Sequence, residues 1–279
     1  MIKANRCQRG IRRLILIPLL IFLTSLSAQP VPDEMRDSII KEGRNISTTR
    51  FAANSAIAAF GSKQKFSGLD GYITYKKGSI WINVFYAKSG DSILVQHTLN
   101  TNDLKNPGAW SFSDVKRKPS ELEGELMKVR EAVLEDLSLD TDFYDFYDDL
   151  GFEPVILPKK DKYYVYLMPT SPEKEYVLFG NDYLLVLDAS GNIQRREKLH
   201  SEIHSLPAKP EGQGTTMGSM HEHHDDESVL PTPTDIAVLL YNKDRVDWDQ
   251  HIILSKKFMS IFYLDQEGMA IFPAGSYDK

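Results

Sequence analysis

The chain has 279 residues, 33 of them Lys or Arg and 39 Asp or Glu, for a formal net charge of −6. That acidic balance argues against a nucleic-acid groove or a face for anionic membranes, both of which need clustered cations. A single cysteine, Cys7, excludes an internal disulfide framework, so the fold must rest on its core, and a chain of this length can bury a sizeable one.

Residues 1–28 are expected to be a signal peptide. Lys3, Arg6, Arg9, Arg12 and Arg13 form a basic start, and Leu14 to Leu26 an apolar run broken only by Pro18, Thr24 and Ser25. Ser27-Ala28-Gln29 then places small residues at a cleavage site. The run falls short of the roughly 20 residues that a spanning helix needs. Export to a bacterial periplasm or beyond, with cleavage near Ala28, is therefore expected over a retained anchor. Removing five of the 33 basic residues and no acid leaves 28 against 39, a net charge of −11. Cys7 leaves with the leader, so the mature chain has no thiol nucleophile.

Val31 to about Phe60 reads as helical, with Asp33 and Glu34 in an acidic first turn and an alanine-rich second half. Arg44-Asn45-Ile46-Ser47 is a candidate break within it. From Gly71 the period changes to two, and the segments around Tyr72, Ile80 to Tyr86 and Ile93 to Val95 read as an antiparallel meander. Trp81, Phe85 and Tyr86 suit the core of half-buried strands better than a ligand platform. Ser120 and Glu123 make a capping box for a helix whose Leu122, Leu126, Val129, Val133 and Leu137 share a face. Asp140 to Asp149 interleaves five aspartates with aromatics and reads as a short amphipathic helix; its spacing does not follow a calcium loop.

Strands are expected at Tyr163–Leu167, Tyr176–Phe179, Tyr183–Leu187, His251–Ser255 and Met259–Tyr263, with a helix over Asp235–Tyr241 capped by Thr234. The expected fold class is α+β: a helix-rich N-terminal part with a small meander, then a strand-rich α/β part. The expected division is a leader at 1–28, an N-terminal region at 29–157 and a second domain at 158–279.

Chemistry concentrates between Thr215 and Asp235, where three of the seven histidines accompany several carboxylates. His221 and His223 are two apart, so on a strand both imidazoles project from one face and can reach one ion. Asp235, at the start of a helix after a proline-containing turn, is the natural third ligand. Zinc held by three protein ligands keeps a fourth position for water and lowers that water's pKa toward about 7. The bland alternative is a solvated loop from His221 to Glu227 followed by an ordinary helix cap.

Gly218-Ser219-Met220-His221-Glu222-His223 followed by Thr232-Pro233-Thr234-Asp235-Ile236 resembles the signature of the JAMM (MPN-domain) metalloproteases. The likeness covers roughly residues 173–272. It implies zinc held by His221, His223 and Asp235, cleavage of a peptide or amide bond in an unknown peptide or protein substrate, and Thr232 in place of the serine that assists the oxyanion. It also implies a glutamate base well upstream, for which Glu175 is best placed, with Glu173, Glu197 and Glu202 as competitors. His224 departs from the pattern, standing where the family has proline. His200 and His204, four apart, are candidate accessory ligands or proton carriers. His97 and His251 are expected to be ordinary packed or exposed residues. Two functions remain open: an exported zinc-dependent hydrolase, and a non-catalytic secreted or envelope binding protein with the same fold, with or without metal. Neither involves nucleic acid, nor a membrane once the leader is removed.

Overall fold

The computed structural model describes residues 31–90, 92–171, 173–209, 218–224 and 228–274. The expected leader lies outside the described residues, as do Asp225, Asp226 and Glu227. The fold class is α+β, as the sequence leads one to expect.

Helix α1 spans Asp33–Gly61 without the break expected at 44–47. Gly43, Ile46, Ser47, Ala53, Ala56 and Phe60 make a buried stripe at helical spacing, so the polar run around Asn45 lies within a helix held by packing. Strands β1 (Gly71–Lys77), β2 (Ile80–Ser89), β3 (Ser92–Thr101) and β4 (Ser111–Ser113) form the meander in sequential order. Helix α2 (Glu121–Leu139) begins at the Ser120–Glu123 capping box. The segment after it is a correction: Asp140–Asp149 folds as turns and not as a helix. Asp140 Oδ1 accepts from Phe143 N–H, an aspartate turn that competes with helix, and Tyr144 is buried. Its acids face cations of the chain itself, Asp140 against Arg196 and Asp145 against Lys198.

Strands β5 (Gly151–Lys159), β6 (Lys162–Thr170), β7 (Tyr176–Gly180), β8 (Tyr183–Asp188), β9 (Ile193–Lys198) and β10 (Ile203–Pro207) follow. They form an antiparallel sheet of order β5-β6-β8-β9 and a separate β7–β10 pair. Strand β11 (Ser219–Glu222) leads through α3 (Pro233–Asn242) to β12 (Gln250–Leu254), β13 (Phe258–Tyr263) and β14 (Gly268–Pro273). β11 and β12 pair in parallel, which requires a crossover of the kind α3 supplies. Two of the helices precede residue 157, alongside the meander. The boundary expected near 157 falls inside β5, and one apolar core joins Ile46, Val155 and Leu157 to Phe179, Ile236, Leu239, Trp248 and Phe262. Among the described residues, no helix is long and apolar enough to cross a membrane.

The contact that matters most for the site is α1 on α3. A Cβ at Gly43 would lie 2.5 Å from Ile236 Cβ and 2.8 Å from Pro233 O, so only glycine lets α1 approach the first turn of α3. Gly43→Ala should therefore destabilise the fold by about 1–3 kcal/mol through overpacking, despite alanine's better helix propensity. A lowered denaturant midpoint at unchanged slope would show it.

Candidate metal centre

Four side chains from three elements converge on one buried point. His221 lies on β11 opposite Ile253 of β12. His223 follows the strand's end, but its N–H donates to Leu254 O at 2.8 Å, which prolongs the parallel ladder and turns its ring to the same side as His221. Asp235 sits in the first turn of α3. The cap is Thr232 and not Thr234: Thr232 Oγ1 accepts from Asp235 N–H (3.1 Å), while Asp235 Oδ2 accepts from Thr232 N–H (2.7 Å). The Thr-x-x-Asp spacing is thus a capping box, and it aims one carboxylate oxygen away from the helix. His200 enters from the bend between β9 and β10.

The inward atoms are the three Nε2 nitrogens and the Asp235 carboxylate, all within 4.8 Å of one another. His200 Nε2 lies 3.1 Å from His223 Nε2 and 3.5 Å from Asp235 Oδ1. His221 Nε2 is 3.4 Å from Asp235 Oδ1, and His223 Nε2 is 3.2 Å from Oδ2. A tetrahedral zinc with ligands at roughly 2.0–2.1 Å has ligand–ligand edges of about 3.3 Å. The four separations above, 3.1–3.5 Å, are of that size.

Each ring is aimed by a contact on its outer nitrogen. His223 Nδ1 lies 2.7 Å from Ser228 O, a carbonyl that only accepts, so Nδ1 carries the hydrogen. His200 Nδ1 lies 2.6 Å from Asp182 Oδ1, with the same consequence. His221 Nδ1 lies 2.7 Å from His251 Nε2, and His251 Nδ1 lies 2.7 Å from Ser219 Oγ. Phe179 stacks on both His221 and His251, with centroids 4.9 and 4.6 Å away. Orientation of a ligand's outer nitrogen is a general feature of metal-binding histidines.

The electrostatics point the same way. Asp235 is buried, which alone would raise its pKa; the charges of His200 and His223 hold it well below the usual carboxylate range. Burial lowers the pKa of His223, but Asp235 outweighs it and the net shift is upward. Burial, with His221 nearby, pushes His251 well below the ordinary value, so that ring is neutral. With hydrogens on both outer nitrogens, His200 and His223 would meet lone pair to lone pair unless a positive charge lies between them. Among the described residues, His221 Nε2 and Asp235 Oδ1 are buried without a hydrogen-bond partner; they lie 3.4 Å apart without the alignment of a hydrogen bond. Such orphaned atoms are costly. A cation at the common point satisfies all four groups, so the residues fit a metal ion.

The other residues singled out in the sequence fall elsewhere. His204 is not among the four; its ring lies 5.7 Å from that of His221 and 6.2 Å from that of His224. His224 is exposed and pairs with Glu202 at 3.1 Å. Glu175 stands exposed just before β7, roughly 13 Å along the strand from Phe179, and is not gathered into the cluster. Thr232 contacts the centre through Asp235, to whose Oδ2 its hydroxyl donates at 2.9 Å. His251, read in the sequence as ordinary, is buried and bonded to a candidate ligand; Asp182 carried no sequence signal beyond a turn at Gly180-Asn181.

Thr232→Ala should remove the cap and one restraint on Asp235. The helix term is worth about 0.5–2 kcal/mol, or a few degrees of melting temperature in a chain of this size. Thr232→Ser should restore most of it. Thermal melts and chelator competition on both variants test the cap and the restraint together.

No protein-family model matches the chain, and no curated protein matches it. The likeness to JAMM metalloproteases therefore rests on the motif residues themselves.

Proposed function

We propose that the protein binds a single divalent transition-metal ion, zinc by its ligand set, through His200, His221, His223 and Asp235. The observation that carries this reading is the buried pair His221 Nε2 and Asp235 Oδ1, without a hydrogen-bond partner among the described residues and gathered with two further imidazoles so that the four ligand atoms lie within 4.8 Å of one another. Three nitrogens and a carboxylate oxygen suit zinc, and four protein ligands make a closed centre of the structural type. The basic-then-apolar start of the chain supports export, and the acidic balance of the rest argues against a nucleic-acid partner.

A second reading, an exported zinc-dependent hydrolase of a peptide or amide bond, is favoured by one feature. The His-x-His and Thr-x-x-Asp segments, in the order of the JAMM signature, meet at one point. A catalytic zinc keeps a position for water or expands to five ligands, so His200 would have to share or yield its place. The chain's residues would then hold the ion, orient Asp235 through Thr232, and supply a carboxylate as proton acceptor. Glu202, two residues after His200 in the chain, is a candidate for that role alongside Glu175; its carboxylate is exposed and paired with His224.

Purified protein should carry about one zinc per chain, and His221→Ala with His223→Ala should carry none. Removing the metal should lower the melting temperature by on the order of 10 °C, the effect of roughly 4 kcal/mol of linked binding. Metal analysis beside thermal melts decides this; a metal-free wild type that melts like the double variant refutes it. For the hydrolase, Glu202→Gln should keep the zinc and lose turnover of a peptide library, whereas no turnover by the zinc-loaded wild type leaves the binding protein.

A further inference from the structure

His200 differs from the other three ligands in what holds it. His221 and His223 are aligned by the β11–β12 ladder and Asp235 by the cap of α3, whereas His200 sits in a bend between two strands. Its ring is met on the outer side by Asp182, 2.6 Å from Nδ1, and both side chains are buried.

Asp182 belongs to a turn shaped for this purpose. Gly180 and Asn181 adopt consecutive left-handed conformations, with φ of 83° and 47°. A Cβ at Gly180 would come 2.1 Å from Glu202 O, so the turn is pressed against the segment that carries His200. Asn181 N–H donates to Glu202 O (2.8 Å), and Leu199 N–H donates to Asp182 O (2.9 Å), which clamps the bend on both sides of His200. Buried Asn181 is fixed in turn: its Nδ2 donates to Asp145 O, and its Oδ1 accepts from Tyr183 Oη–H. A left-handed non-glycine residue in a buried, fully bonded turn is a conformation that persists only where its surroundings over-determine it.

We propose that Asp182 is the positioning residue that recruits His200 as fourth ligand and so closes a centre that would otherwise hold its ion with three. This rests on the metal-binding reading above. The carboxylate accepts from Nδ1–H, fixes the tautomer that presents the Nε2 lone pair inward, and raises the basicity of that nitrogen. It also sets a second buried carboxyl group across the His200 ring from Asp235. Without the Asp182 carboxylate the other three ligands keep their supports, while the His200 ring, still on its clamped bend, loses the contact that fixes its tautomer and direction, so that its position can admit water or a small exogenous anion.

The test uses the whole protein loaded with cobalt(II) alone, whose visible bands report coordination number, with azide as the exogenous anion. Wild type should show the strong bands of a four-coordinate ion and no response to azide. Asp182→Ala should bind cobalt about 10–100-fold more weakly, with weaker bands that shift on adding azide, and His200→Ala should reproduce that spectrum. Asp182→Asn retains an acceptor for Nδ1–H, so it should stay closed and azide-silent with a smaller loss of affinity; it also serves if the alanine variant does not fold. Adding Asp182→Ala to His200→Ala should cost nothing further, because the partner is already gone. A folded Asp182→Ala with wild-type spectrum and affinity overturns the proposal, as does a further loss in the double variant. A wild type that takes up no cobalt or zinc overturns the metal-binding reading, and the inference with it.

Discussion

The charge on Asp235 is the constraint that the rest of the site answers. A carboxylate with 1% exposure, removed from water, is tolerable only with opposite charge and hydrogen bonds around it. Thr232 supplies hydrogen bonds to one of its oxygens, and the helix end that carries it contributes a favourable dipole. The other oxygen is left facing His200 and His221 without a hydrogen bond. Three imidazoles, each turned so that its outer nitrogen is engaged, complete an arrangement that is expensive when empty of charge and favourable around a cation.

The fold explains how residues so far apart in sequence reach this point. The parallel β11–β12 pair puts His221 beside Ile253 and Ser219 beside His251, which brings the supporting histidine under the ligand. α3 crosses between those strands with its first turn over the centre, and α1 presses on that turn through the bare face of Gly43. From the other side, β7 brings Phe179 against His221 and His251, and the turn after it places Asp182. Each wall of the site is thus an apolar packing contact with one polar side chain aimed inward.

What was legible in the sequence was local. The capping box at Ser120, the meander strands and the His-x-His spacing depend on neighbours within a few residues, and periodicity reports those. Asp235 could be named from its spacing, although the cap was assigned to Thr234 when Thr232 makes the reciprocal bonds. What was not legible came from distant pairing. His251 acquires its partner across 30 residues and Asp182 acquires His200 across 18, and neither pairing leaves a pattern in the chain. Two misreadings share one cause. The run Arg44–Ser47 has the local composition of a break, and its burial against another element leaves no pattern in the sequence. Asp140–Asp149 has the composition of a short amphipathic helix, whereas its aspartate turn and the anchoring of Tyr144 depend on particular contacts, which composition does not encode. Distance along the chain favours Glu175 as the base, but the residue stands exposed just before β7.

The most direct test of the central claim is X-ray absorption at the zinc edge of the purified protein. The account predicts about four nitrogen or oxygen ligands at roughly 2.0–2.1 Å, with outer-shell scattering from about three imidazoles. Zinc bound with fewer than two imidazoles, or protein with no stoichiometric metal, would contradict it.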